Sequence, residues 1–159
     1  MSRPSAPSRA RIRSLALALA LALAALAPAA ARAQSVHEDI SPLLMNRILT
    51  SMGFEAEQGG DEETPSFKFE LGGWKVVLFL ANKNTDAQLY VGFLDTPLSF
   101  EKANDWNRRR RFARAYQDED GDAVLESDLD FTGGVTEEAV KAWIRLFRDQ
   151  ANEFAKLVR

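Results

Sequence analysis

Apolar residues recur along this chain with two different periods, and the switches between them mark out its elements. Ile40, Leu44, Ile48 and Met52 lie four residues apart, with Leu43 and Leu49 widening the stripe, so residues 41–52 predict an amphipathic helix. Ser41 offers an N-cap hydroxyl, Pro42 falls at the first helical position, where a missing N–H costs nothing, and Gly53 ends the helix. Glu55 to Ser66 is acidic, holds Gly59-Gly60 and Pro65, and has no period; it reads as a loop or a ragged first strand.

From Phe67 the period becomes two. Phe67, Phe69 and Leu71 alternate with Lys68 and Glu70, and after Gly72-Gly73 come Trp74, Val76, Leu78 and Leu80. A two-residue Gly-Gly turn sets Leu71 opposite Trp74, Phe69 opposite Val76 and Phe67 opposite Leu78. Val77 and Phe79 make the second strand apolar on its other face too, which predicts a central strand covered on both sides. After the turn residues Asn82 to Asp86, Gln88 to Asp95 is a third strand with Leu89, Val91 and Phe93 alternating.

Thr96-Pro97 and Ser99 both resemble helix starts, and Phe100, Ala103 and Asn107 share one face of a short helix running to about Arg108. Arg111 to Glu119 and Asp122 to Phe131 flank Asp120-Gly121 and predict a second hairpin. Read as a two-residue turn, it places Phe112 opposite Leu129, Tyr116 opposite Leu125, Arg111 opposite Asp130 and Ala115 opposite Glu126. Thr136 caps a last helix with Glu137 and Glu138 in its first turn. Its stripe of Val140, Trp143, Ile144, Phe147, Ala151, Phe154, Ala155 and Val158 runs to the end of the chain. The order of helix, three strands, helix, two strands, helix is that of an α+β fold, with helices packed on an antiparallel sheet.

Residues 1–33 stand apart. They hold Arg3, Arg9, Arg11, Arg13 and Arg32 and no acid, and a Leu/Ala run from Leu15 to Leu26 is followed by Pro28 and by Ala31-Arg32-Ala33. This is the layout of a Sec-type signal peptide, with cleavage expected after Ala33. The run before Pro28 is only about a dozen residues, against roughly 20 for a bilayer span, so no stable membrane anchor is expected after cleavage. The expectation is a periplasmic or secreted domain of residues 34–159.

Export changes the charge account. The chain has 159 residues with 20 Lys plus Arg and 23 Asp plus Glu; losing five arginines leaves 15 basic against 23 acidic side chains, a net −8. Such a surface repels phosphate backbones, so nucleic acid is not an expected partner. With one His and no Cys, structural zinc sites, iron–sulfur clusters, thiol catalysis and disulfides are excluded, and no cofactor is expected.

Few residues are left to carry chemistry. Asp118, Asp120 and Asp122 around Gly121 suggest a calcium loop, but aligning Gly121 with the invariant glycine puts Tyr116 at position one and Ser127 at position twelve, so a hairpin turn is the better account. Arg108, Arg109, Arg110, Arg111 and Arg114 form the one basic cluster after residue 33, and Trp106 beside it suggests a stacking platform for an anion. The candidate binding residues are therefore Trp106, Asn107, Arg108, Arg110 and Arg114, with no catalytic and no metal residues. The competing and stronger reading is an ion-pair face, because Glu126, Asp128 and Asp130 on the facing strand supply counter-charges. His37 reads as a frayed surface residue, and nucleophile, base and oxyanion donor cannot all be named, so a hydrolase is disfavoured.

Asn104-Asp105-Trp106-Asn107, Arg111 to Tyr116, Asp118 to Asp122, Leu125 to Asp130 and Gly133 to Glu138 together resemble the bacterial YbjN family of sensory transduction regulators. The likeness is sharp over residues 104–147 and looser over 40–95. It implies a fold like that of type III secretion chaperones and a non-catalytic module that binds a protein partner or acts in sensing and regulation, with a homodimer as the matching expectation. A small anionic ligand bound at the arginine cluster is the alternative.

Overall fold

The computed structural model describes residues 34–158; the expected signal peptide and its cleavage point lie outside the described residues. In chain order the elements are β1 (Val36–His37), α1 (Pro42–Ser51), β2 (Glu57–Gly60), β3 (Pro65–Leu71), β4 (Trp74–Ala81), β5 (Asp86–Pro97), α2 (Phe100–Arg109), β6 (Arg114–Gln117), β7 (Asp122–Asp130), β8 (Val135–Thr136) and α3 (Glu137–Val158). Six strands form one antiparallel sheet in the order β2-β3-β4-β5-β7-β6, and β1 pairs separately with β8.

The class is α+β, as the periodicities predict, with strands added at the margins. The ragged stretch after α1 is a strand, β2, held on β3 with Gln58 opposite Phe67. His37 is not frayed: it pairs with Val135 in the small β1–β8 sheet, and its Nε2 is buried. Local composition could not show this, because the partner strand lies about a hundred residues away.

The first hairpin has the predicted register, Leu71↔Trp74, Phe69↔Val76 and Phe67↔Leu78. Gly72 and Gly73 turn it with φ of 65° and 88°, the left-handed pair that a two-residue turn matched to strand twist requires. The second hairpin is one residue out from its prediction. Arg114 faces Glu126, Ala115 faces Leu125 and Tyr116 faces Val124. The turn is longer than Asp120-Gly121 alone. Asp118 N–H donates to Asp122 O (3.0 Å), Gly121 N–H donates to Asp118 O (3.2 Å), and Gly121 sits at φ 90° as a bulge residue. Asp118 Oδ1 accepts from the N–H groups of Asp120 (3.1 Å) and Asp122 (2.8 Å), so the three aspartates are turn chemistry. A one-residue change exchanges faces: Ala115 enters the core and Tyr116 points away from it. Phe112, expected opposite Leu129, is outside the hairpin, 70% exposed and left-handed at φ 68°.

Phe67, Phe69, Leu71, Val76, Leu78, Leu80, Leu89, Val91, Phe93 and Leu125 line one face of the sheet and join the buried residues of all three helices in a single core. Phe154 of α3 lies edge-on to both Phe93 (5.4 Å between ring centroids) and Trp106 of α2 (5.0 Å). Ser99 caps α2 through Lys102 N–H (3.3 Å), and Thr136 caps α3 through Ala139 N–H (3.2 Å). On α2 the buried positions are Ala103 and Trp106, while Phe100, expected on the same face, is 74% exposed.

The prediction that β4 is covered on both sides is corrected. Each helix has one apolar stripe and all three stripes are spent on the same face, so Val77 and Phe79 are only half-buried on the other.

Candidate functional site

Of the five candidate residues, Trp106, Asn107 and Arg108 project from α2, Arg110 caps its C-terminus and Arg114 opens β6. Helical spacing turns Trp106 inward: it is 4% exposed, and its Nε1–H donates to Ala113 O (3.3 Å). The expected stacking platform is therefore a core residue, corrected because Ala103 and Trp106, three apart, share the buried face of the helix. Asn107 meets the outer edge of β6 as a strand would. Its Nδ2–H donates to Ala115 O (2.9 Å) and its Oδ1 accepts from Ala115 N–H (2.8 Å). Asn107 thus satisfies the outward backbone groups of Ala115 on β6, and Trp106 the carbonyl of Ala113 just before that strand.

Arg108 extends the other way. With Arg109 it holds Asp105, at 2.8 and 2.9 Å, in the i,i+3 and i,i+4 pairs that helices favour. The Arg108 hydrogen bond, with Arg109 beside it, pulls the Asp105 carboxyl below the usual range. Arg110 pairs with Glu153 of α3 (3.0 Å) and lies over the Trp106 ring, 5.5 Å from its centroid. Arg114 pairs with Glu126 and lies 3.9 Å from Asp128. Asn107, Arg110 and Arg114 line one cleft of about 340 Å³ with Phe112, Glu126 and Asp128; Trp106 and Arg108 do not line it. Arg114 thus meets carboxylates of the facing strand, as the ion-pair reading expects, whereas Arg110 pairs with α3 and Arg108 and Arg109 pair within their own helix.

The neighbouring surface is one the sequence reading did not single out. On the face of the sheet away from the helices, pairing aligns Lys68, Val77, Tyr90, Glu126 and Arg114 in one row and Gly92, Val124 and Tyr116 in the next. Val124 is fully buried and Glu126 is 5% exposed although, among the described residues, no helix covers them. The tyrosines account for this. A methyl placed on Gly92 would meet the Tyr90 hydroxyl at 3.3 Å, so that ring lies along the strand over the glycine, while Tyr116 O–H donates to Glu126 Oε2 (3.0 Å). Burial, the bond to Glu126 and that carboxylate's charge push the Tyr116 hydroxyl up to about 12. Burial, with the charges of Asp118 and Glu126, raises Tyr90 as well. With Phe79 and Val77 these residues make an aromatic and aliphatic surface with a charged pair set into it.

The signal that could have found this face was the alternation itself. Val77, Phe79, Tyr90, Val124 and Tyr116 all occupy the positions opposite the core set. Chemically the face offers apolar area, two phenols and a neutralised carboxylate, which suits contact with another surface. Among the described residues no group of three or more His, Cys, Asp or Glu is placed to hold a metal ion, and no helix is long and apolar enough to cross a membrane.

Comparison with known proteins gives one match. A family model described as "Putative bacterial sensory transduction regulator", YbjN, covers residues 42–159, which takes in both sheet faces, α2 and the arginine cluster. No curated protein and no solved structure matches. With a match from the start of α1 to the end of the chain, this protein belongs to the YbjN family.

Proposed function

We infer that the protein is an exported, non-catalytic module that acts in regulation by presenting the uncovered face of its sheet to another protein. The observation that supports this most is the pairing of three helices on one side with a tyrosine-bearing, half-apolar surface around Phe79, Val77, Tyr90 and Tyr116 on the other. The family description is of a regulator and not of an enzyme, which agrees with a surface that binds and does not react. Export rests on the basic, Leu/Ala-rich opening of the chain.

The test is affinity capture from the exported fraction with the parent protein and a Val77→Lys, Phe79→Lys variant, together with N-terminal sequencing of the recovered chain. The expected result is a start at Gln34 and a protein enriched with the parent and lost with the variant. Recovery only from the cytoplasm, or the same partners with both proteins, would contradict the reading. A second copy of the chain is one occupant the assay would reveal, and light scattering would then report a dimer.

A second reading has one observation in its favour, the cleft that gathers Asn107, Arg110 and Arg114. A small anion there would have to compete with Glu153 and Glu126 for the guanidinium groups. It predicts thermal stabilisation by anions that disappears in Arg110→Glu; a panel of anions that leaves the parent's melting point unchanged would sink it.

A further inference from the structure

The sheet has one edge that the fold leaves open in an unusual place. β7 is nine residues long, but β6 pairs only with Ala123–Glu126. In register, Ala113 would follow opposite Ser127 and then Phe112 opposite Asp128; instead the left-handed backbone of Phe112 carries the chain off the sheet. The departing segment is tied down elsewhere, Phe112 O accepting from Ser127 Oγ and Arg111 O from Gln150 of α3. Phe131 N–H reaches Thr85 O on the β5 side (2.9 Å), while Asp122 O accepts from Asp118 on the β6 side. By the alternation of an antiparallel ladder, the N–H and C=O of Asp128 and Asp130 therefore point to the open edge. On β6 the outward backbone of Ala115 is capped by Asn107; among the described residues no side chain caps this stretch of β7.

The surroundings specify what could fill it. Asp128 and Asp130 point to the uncovered face, and Asp86 stands directly opposite Asp130 on β5. A groove of about 660 Å³ floored by Phe79 and Ala81 runs beside them. Between the aspartates, Leu129 is half-buried on the other face, and exposed Phe112 lies in the cleft that also reaches Asp128. Same-edge pairing with a second copy would set aspartate against aspartate, the arrangement by which natural edges prevent self-association. An incoming strand with basic residues at alternate positions meets Asp130, with Asp86 beside it, at one step and, at the next, Asp128, which also accepts from Gln88 Nε2 (2.9 Å) and lies 3.9 Å from Arg114. β2, the other edge, is also flanked by acids, but all four of its residues are exposed and two are glycines, so it offers no apolar floor.

We propose that the Asp128–Asp130 edge of β7 adds an extended basic segment of a partner protein as a further strand, its cationic side chains on the uncovered face and its apolar ones beside Leu129 and Phe112. The inference rests on the protein-binding reading and names the partner's chemistry.

The test is a fluorescence-anisotropy titration of the full-length protein with a labelled peptide of alternating lysine and valine. The comparison peptides are its glutamate–valine counterpart and a version N-methylated at the amides that would face the edge. The lysine peptide should bind, the glutamate peptide should not, and methylation should weaken binding at least tenfold. An Asp128→Asn, Asp130→Asn variant, changed only at exposed positions and checked for an unaltered melting point, should also lose at least tenfold. Equal binding after methylation would mean charge attraction without strand addition. Equal binding by the variant would place the site elsewhere, at β2 for instance, and no binding of the lysine peptide would be equally fatal. If the peptide fails while a partner is still captured through Phe79 in cells, the edge proposal falls and the protein-binding reading stands; if both fail, the reading falls with it.

Discussion

Trp106→Ala separates a core role from a ligand-binding one by the size of its effect on stability. The ring is 4% exposed, lies 5.0 Å from Phe154 edge-on, and donates its N–H to Ala113 O. Truncation to alanine removes about 150 Å² of buried apolar surface, which at about 25 cal/mol per Å² is about 4 kcal/mol. That agrees with the range of about 3–5 kcal/mol for large aromatic truncations in cores. The stranded Ala113 carbonyl adds about 1 kcal/mol. Against a domain stability of about 5–15 kcal/mol, such a loss lowers the melting point by about 10–20 °C. Urea denaturation followed by circular dichroism measures it directly. Trp106→Phe keeps a ring against Phe154 but loses the N–H and part of the buried bicycle, so it should cost less than the alanine variant, about 2–3 kcal/mol. An alanine variant within about 1 kcal/mol of the parent would refute the placement of Trp106 and restore it as a surface platform.

The uncovered face and the second hairpin supply further tests. Both tyrosines of the chain are raised, Tyr116 to about 12, so an ultraviolet titration should show less phenolate in the folded protein at pH 10 than in the unfolded one, where tyrosine is half ionised. Because the native state keeps its Tyr116 proton where the unfolded chain has lost it, that stabilisation is complete below pH 10 and vanishes as pH rises through about 12; Tyr116→Phe should remove this dependence, and an unchanged alkaline melting curve would count against it. Ser127→Ala strands Trp143 Nε1–H, bonded at 2.9 Å, and Phe112 O, and should cost about 2–3 kcal/mol by urea midpoint. Gly121→Ala, at φ 90° with Gln117 Nε2 3.2 Å from the added methyl, should cost about 1–2 kcal/mol, and a neutral result would mean the turn is not the bulged one described.

What could be read in advance followed from local physics. The Gly72-Gly73 hairpin came out in register because a two-residue left-handed turn leaves no freedom in the pairing. Asp120-Gly121 looks alike on paper, but Asp118 recruits two N–H groups and makes Gly121 a bulge, which moves every partner by one and turns Tyr116 outward. Trp106 was grouped with the arginines by adjacency, whereas the helix turns it to the opposite side from Arg108. The apolar alternation at Val77 and Phe79 was visible, but not whether a helix would cover it, since that depends on where three separate stripes are spent. The β1–β8 pairing and the open end of β7 depend on contacts between distant segments and leave no mark in a local window.

The most direct test of the account is site-specific photo-crosslinking in living cells. One probe replaces Phe79 on the uncovered sheet face and the other replaces exposed Arg145 on α3. The account predicts a discrete protein adduct from the Phe79 probe in the exported fraction and none from the Arg145 probe. Adducts only from the helix, or the same adducts from both positions, would contradict the assignment of the uncovered face as the binding surface.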